Sequence, residues 1–180
     1  MGYLQRVWQS FYKLLMLKAT DERRIRYLRT LGIKIGERCR VRTMDFSTEP
    51  YLIEIGNHVA IAAGTEFITH DGATWVFEDD VEGGGVFGKI KIGNNVFIGI
   101  NCIILSNTEI GDNCIVGAGS VVRGHFPENS VIAGNPAQVI SKTGIQRMLS
   151  KQSPGLVKTK NCTSEQKDRL VKQHFGLLNP

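Results

Sequence analysis

Ile92, Ile98, Ile104, Ile110, Val116 and Val122 recur at every sixth residue without a break, and Gly93, Gly99, Gly111 and Gly117 directly follow four of them. The fourth place after each aliphatic is kept as well, by the small or medium Val96, Cys102, Thr108, Cys114 and Ser120. Amphipathic helices and ordinary strands place apolar residues on spacings near 3.6 or 2, so a spacing of six belongs to neither. It marks a repeat architecture. A chain that turns a corner every six residues closes a triangular coil every eighteen, with the aliphatic inward and the small residue after it letting the backbone turn. The expected core is therefore all-β, a stack of coils.

The same grammar runs through an earlier block, Ile55-Gly56-Asn57-His58-Val59, then Ile61 to Thr65, then Phe67, and Ile35-Gly36 to Val41 add about one more side. The frame fails from about Asp71 to Gly88 and resumes at Ile90. A long excursion at one corner of a regular solenoid is usually functional or disordered. The aromatic content of this one, Trp75, Phe77 and Phe87, argues for function. Arg42 to Leu52 also departs from the hexads and suggests a smaller excursion.

Three parts follow: a helical segment over 1–32, a coil domain over 33–142 with its excursion at 71–88, and an extension over 143–180. In the first part Leu4, Val7, Trp8, Phe11, Leu14, Leu15 and Leu17 form an apolar stripe, and Asp21 to Leu31 form a basic amphipathic helix ending at Gly32. The stripe suits a cap over the open end of the stack, which would otherwise expose strand edges. Peripheral attachment to a membrane surface is its other reading. In the extension, 145–161 read as polar and irregular, and Thr163 or Ser164 caps a short helix through Phe175.

Charge and cysteines narrow the picture. The net charge of +5 comes mainly from the two ends, with Arg23, Arg24, Arg26 and Arg29 early and a run from Lys142 to Lys172 late. A solvated face is the plain reading; an anionic ligand or an acidic membrane surface is the sharper one. The basic stretches hold no nucleic-acid-binding motif. Cys39, Cys102, Cys114 and Cys162 have neither metal spacing nor the look of a disulfide framework, and the inward ones read as small buried hydrophobes. No secretory signal and no membrane-spanning run is expected, which places the protein in the cytoplasm.

The hexads, Thr69-His70-Asp71-Gly72, the Ile92 to Gly99 block, Ile115-Val-Gly-Ala-Gly-Ser120 and Ala133-Gly-Asn-Pro-Ala137 occur together and in that order. This set resembles the hexapeptide-repeat acyltransferases, in particular the galactoside, maltose and nodulation O-acetyltransferases and their polysaccharide-modifying relatives. The resemblance covers roughly 33–142. It implies a left-handed parallel β-helix, a homotrimer, acetyl-CoA as co-substrate in a groove between neighbouring copies, and an active site shared by two of them. It places the family's histidine at His70 and its oxyanion-binding backbone N–H at Ile100. Cofactor contacts fall on Ala118, Arg123 and Asn135. The family's lysine and arginines are replaced by Gly124, Gln138 and Ser141, which leaves Lys142 or a neighbouring chain to meet the phosphates.

Acetyl transfer to an alcohol requires removal of the hydroxyl proton as oxygen attacks the thioester. Imidazole, with an ordinary pKa near ~6.5, suits that work and contributes about 10²–10⁴-fold. The resulting oxyanion needs a preorganised donor, whose loss costs roughly 10²-fold or more. His70 lies at the frame break, whereas His58, His125 and His174 read as surface histidines. Asp71 could orient the imidazole, although a backbone atom or a distant acid serves equally well. Asp45 and Glu49 are candidates for holding acceptor hydroxyls, and Asp71 and Trp75 for the acceptor pocket. The expected function is an acetyl-CoA-dependent O-acetyltransferase acting on a sugar hydroxyl or glycan precursor in surface polysaccharide synthesis. A xenobiotic O-acetyltransferase and a non-catalytic β-helix scaffold are the rivals.

Overall fold

A computed structural model describes residues 15, 16 and 18–178. Most of the apolar stripe at the N-terminus (Leu4, Val7, Trp8, Phe11, Leu14 and Leu17) lies outside the described residues. The first described helix, α1 (Asp21–Thr30), is capped by the Thr20 hydroxyl, which accepts from the Arg23 N–H, and ends before Gly32 at φ 95°.

Short strands then follow by coil. The first coil holds β1 (Lys34–Ile35), β2 (Arg40–Val41) and β3 (Asp45–Phe46), and the second holds β4 (Ile53–Ile55), β5 (Ala60–Ile61) and β6 (Glu66–Ile68). The chain then leaves the stack through β7 (His70–Asp71), a 3₁₀ stretch over Gly72–Phe77 and β8 (Val86–Phe87), which pairs back antiparallel on β7. The third coil resumes with β9 (Ile90–Ile92), β10 (Phe97–Ile98) and the first half of β11 (Ile103–Ile110). The second half of β11 opens the fourth coil, completed by β12 (Ile115–Val116) and β13 (Val121–Phe126). β14 (Ser130–Gly134) and its antiparallel partner β15 (Ala137–Lys142) close the stack.

Pairing between coils is parallel and resolves into three faces. Ile35, Ile55, Ile92, Ile110 and Phe126 align on one face. Val41, Ile61, Ile98, Val116 and Ile132 align on the second, and Phe46, Phe67, Ile104 and Val122 on the third. In the later coils the offset is the eighteen residues the hexads require, as in Ile92↔Ile110 and Ile98↔Val116. These inward aliphatics are buried, and so are Val96, Cys102, Thr108, Cys114 and Ser120 behind them. The result is a curled parallel sheet, and the described chain is mostly β with some helices.

The corners are built differently from the expectation. The glycine after each aliphatic does not take the left-handed turn. Arg38, His58, Asn95, Asn113 and Asn129 take it along one corner, with φ between 54° and 59°. The glycine is needed because neighbouring coils touch there: a Cβ on Gly93 would lie 2.8 Å from the Gly111 carbonyl carbon, and one on Gly99 would lie 2.6 Å from the Ala118 nitrogen. Asparagine tolerates the left-handed region better than most residues, and here its side chain also bridges coils, Asn95 Nδ2 donating to Asn113 Oδ1 at 2.8 Å.

α1 covers the open end of the stack. Leu28 is fully buried in the core, and the buried Arg24 guanidinium donates to the carbonyls of Met16, Ala19 and Val41 and to Asp21 Oδ1. On the first face the outward row runs Lys34, Glu54, Lys91, Glu109, His125 in register, with Lys34–Glu54 at 2.6 Å and Lys91–Glu109 at 2.9 Å. This is a solvated face whose exposed pairs add little stability.

All four cysteines are free, and Cys39, Cys102 and Cys114 are buried. Burial pushes the Cys102 and Cys114 thiols up, away from the reactive thiolate. A thiol reagent is therefore expected to label Cys162 alone in the native protein and all four after denaturation, read by absorbance titration. Rapid native labelling of a second thiol would contradict the packing.

Residues from Gly144 onward form a separate compact unit. It corrects the expectation of irregular chain over 145–161, because α2 spans Thr143–Gln152. α3 spans Ser164–His174, capped by Thr163 in a reciprocal capping box with Gln166.

Candidate active site

Phe46 pairs with Phe67, so the residues after β3 stack against those after β6 at the corner leading out of the third face. Ser47 to Glu49 thereby come to lie beside Thr69 and His70. His70 Nδ1 is 3.0 Å from Glu49 Oε2, 3.4 Å from Ser47 Oγ and 3.5 Å from Thr48 Oγ1. The carboxylate is itself held, accepting from Thr48 Oγ1 at 2.6 Å and from the buried Thr69 Oγ1 at 2.9 Å. Ser47 sits at φ 26° and its hydroxyl accepts from the Thr69 N–H, tying the two segments together. The Glu49 side chain is mostly covered and the imidazole half-exposed, so the ring is anchored on one edge and open on the other. An imidazole whose Nδ1 is fixed by a carboxylate presents Nε2 as the free proton acceptor.

The Thr48 hydroxyl, joined by those of Thr69 and by His70, holds the Glu49 carboxyl below its ordinary range against the opposing effect of burial. A carboxyl lowered in the folded state supports the fold above its ordinary value, and that support is lost as pH falls through the folded value. Glu49→Gln is therefore expected to lower stability at neutral pH, with the deficit shrinking once pH drops below about 4.3. Thermal melts of both proteins across that range measure it, and a pH-independent deficit would show that the carboxylate's charge is not what supports the fold.

The excursion shapes the open side. Phe87 on β8 lies opposite His70 in the antiparallel pair, with ring centroids 6.1 Å apart. Asp71 accepts from the Ala73 N–H, capping the 3₁₀ stretch that carries Trp75, which is 77% exposed. Asp71 does not orient the imidazole. It faces Arg123 instead, whose guanidinium is 3.4 Å from Asp71 Oδ2 and 3.2 Å from Ser106 Oγ. The Ala73 N–H and Arg123 hold the Asp71 carboxyl low.

The remaining sequence-derived residues divide between corners. Ile100 and Ala118 lie at the corner between the second and third faces, where the Gly119 N–H donates to the Ile100 carbonyl. Asn135 is in the exposed turn of the β14–β15 hairpin, and its neighbour Gly134 donates to Ser120 Oγ, which places that turn just beyond Ala118. Lys142 pairs with Ser130 at the opposite end of the same hairpin, away from Asn135. Asp45 is on the outward side of the third face, in register with Glu66, with Thr43 Oγ1 3.4 Å from its carboxylate. Ile68 pairs with Leu105, which sets His70 and Ile100 at opposite ends of the third face within one chain.

Glu49 is the residue whose role the sequence did not reveal. The signal was its distance from His70, twenty-one residues, which equals the Phe46↔Phe67 offset of the coil it belongs to. The other histidines have structural partners: His58 Nδ1 lies 2.8 Å from Asn95 Oδ1, His125 Nδ1 3.3 Å from Glu109, and His174 Nε2 2.6 Å from the Pro154 carbonyl. Among the described residues, no three His, Cys, Asp or Glu side chains are grouped to hold a metal ion.

Comparison with known proteins agrees with this architecture. The family model "Bacterial transferase hexapeptide (six repeats)" matches residues 89–124. Protein CapG of Staphylococcus aureus is 47% identical over 133 residues, covering 72% of this chain and 75% of CapG. The putative lipopolysaccharide biosynthesis O-acetyl transferase WbbJ of Escherichia coli K12 is 53% identical over 53 residues, 29% of this chain and 27% of WbbJ. The crystal structure of a maltose O-acetyltransferase from Clostridium difficile 630 superposes with a TM-score of 0.57 at 28% identity, covering 76% of this chain and 85% of that one. With hexads in register around three faces and a relative of this identity over three-quarters of its length, the chain belongs to the hexapeptide-repeat acetyltransferase family.

Proposed function

We propose that this chain is an acetyl-CoA-dependent O-acetyltransferase that modifies a sugar hydroxyl of a surface polysaccharide or its precursor, with His70 as general base. The observation that carries the reading is the Glu49–His70 pair at the corner where the coil opens into the excursion. In the reaction, His70 Nε2 takes the proton of the acceptor hydroxyl as its oxygen attacks the thioester carbon. The C–S bond then breaks, and the CoA thiolate leaves and is protonated. Glu49 stabilises the imidazolium formed meanwhile and acts as a positioning residue. The polysaccharide assignment is supported by the name of WbbJ, and the hydroxyl acceptor by that of the maltose enzyme as well.

The active unit in this proposal is a homotrimer of left-handed β-helices. The base corner, with His70, Glu49, Asp71 and Arg123, and the corner of Ile100 and Ala118 lie at opposite ends of one face. A substrate meeting both the base and the Ile100 N–H must then lie between two copies. Acetyl-CoA runs along the Ile100 and Ala118 corner toward Asn135, where small side chains let its amides approach the backbone. Trp75, Phe87 and Asp45 border the acceptor. The working location is cytoplasmic, where acetyl-CoA is made; no described helix is long and apolar enough to cross a membrane.

The test is free-thiol release from acetyl-CoA against a panel of sugars, glycan precursors and antibiotic alcohols. Turnover that depends on a sugar acceptor supports the proposal and names the substrate class. Turnover only with antibiotic alcohols replaces the glycan reading, and failure of acetyl-CoA to bind removes the transferase reading altogether.

A further inference from the structure

The unit from Gly144 onward has structure without a core of its own. None of its described residues is buried. α2 places Ile145, Met148 and Leu149 at the i, i+3, i+4 spacing that gathers them on one side, and they are 49%, 52% and 53% exposed. Arg147 and Lys151, four apart, share another side of the same helix. Leu156, Leu170, Phe175, Leu177 and Leu178 are exposed as well. The backbone is nonetheless fixed: the capping box starts α3, and His174 Nε2 holds the Pro154 carbonyl at 2.6 Å.

The unit's charge points to what covers those side chains. Arg147, Lys151, Lys158, Lys160, Lys167, Arg169 and Lys172 face only Glu165 and Asp168, so it carries a net +5, equal to the net charge of the whole chain. Pairing this unit with its own copy would bring these cations together at a self-repulsive cost. A surface of opposite sign with an apolar interior satisfies both features at once. Helices with an apolar stripe and a cationic polar face lie in the boundary between headgroups and acyl chains, and anionic headgroups draw basic residues to the surface.

We infer that Gly144–Pro180 docks the protein on an anionic phospholipid bilayer, with Ile145, Met148 and Leu149 entering the headgroup boundary and the flanking cations meeting lipid phosphates. The inference does not depend on the chemistry assigned to His70. It would bring a water-soluble acetyl donor to an acceptor held at a membrane.

The experiment is co-sedimentation of the full chain with vesicles of phosphatidylcholine alone or mixed with phosphatidylglycerol. Binding is expected only to the mixed vesicles and is expected to weaken as salt screens the charges. Arg147→Ala with Lys151→Ala should reduce partitioning by about thirtyfold, at about fivefold per cation near the surface. Met148→Asp with Leu149→Asp should abolish it while acetyl-CoA binding persists. Equal binding to both vesicle types, or no binding to either, overturns the inference. So does the Met148→Asp and Leu149→Asp protein splitting to a smaller species by light scattering without any vesicle effect, since another copy of the chain would then be what covers the stripe. Should that variant not fold, the Arg147 and Lys151 pair, exposed and outside any core, still decides the matter.

Discussion

Turnover of the His70→Ala variant is expected to fall by about 10²–10⁴-fold, the contribution of a positioned general base, while its affinity for acetyl-CoA stays at the wild-type level. The expectation rests on geometry. The imidazole is fixed on its Nδ1 edge by a carboxylate that two hydroxyls hold in place, and its other edge faces the aromatic excursion. In the proposed arrangement the cofactor is held at Ile100 and Ala118 and toward Asn135, so removing the ring takes away no cofactor contact. The loss should therefore sit in kcat, with KM for acetyl-CoA unchanged, which is the pattern of an interaction made only in the transition state. Glu49→Gln keeps the shape but removes the charge that favours the imidazolium, so its kcat should fall less. His58→Ala and His125→Ala are controls, since both side chains are engaged with neighbouring coils. Steady-state thiol release with the best acceptor measures all four, and undiminished turnover in the His70→Ala protein would take the imidazole out of the chemistry.

The coil was legible because one physical constraint repeats: each inward aliphatic stacks on its counterpart eighteen residues away, so the sequence carries the period of the structure. His70 was legible for the opposite reason, as the point where that period stops. Its partner was hidden by a loosened register. In the first coil Val41 pairs with Ile61 at twenty residues and Phe46 with Phe67 at twenty-one, so a frame of eighteen sets Glu49 against the wrong residue. The sequence offers Glu49 as a candidate for holding acceptor hydroxyls, whereas in the structure its carboxylate holds His70. α2 is hidden in the sequence because it displays only three apolar residues among polar ones and begins beside Gly144, a residue that weakens helices. The corner glycines are visible in the hexads but their reason is not: contact between coils demands them, and the left-handed turn falls on other residues.

That distinction yields the second large effect, on stability. Gly56 has no left-handed φ to protect, so on conformational grounds alone alanine should be accepted and should gain about 0.4–1 kcal/mol by restricting the unfolded chain. The neighbouring coil forbids it. A Cβ at Gly56 would lie 2.6 Å from the Gly93 carbonyl oxygen and 2.8 Å from its carbon, and these are backbone atoms that cannot rotate aside. The spacing is also pinned by the ladder, since the Gly56 N–H donates to the Ile92 carbonyl at 2.8 Å, so the coils can part only by breaking hydrogen bonds. Overpacking of this kind costs about 1–3 kcal/mol and sometimes more, which exceeds the entropic gain. Gly56→Ala is thus expected to be destabilised, while Gly72→Ala, with nothing within 4 Å of its Cβ, should be neutral or slightly stabilised. Gly117→Ala should fall between them, because its Cβ meets the Ala133 Cβ at 3.0 Å, a side-chain atom at the end of the stack where the closing hairpin can give. Urea midpoints resolve the three. Each coil touches only its neighbours, as in other solenoids, so parting the second coil from the third should divide the stack and broaden the transition of Gly56→Ala. If all three glycines accepted alanine alike, the close approach of the coils would not be what holds glycine at the corners.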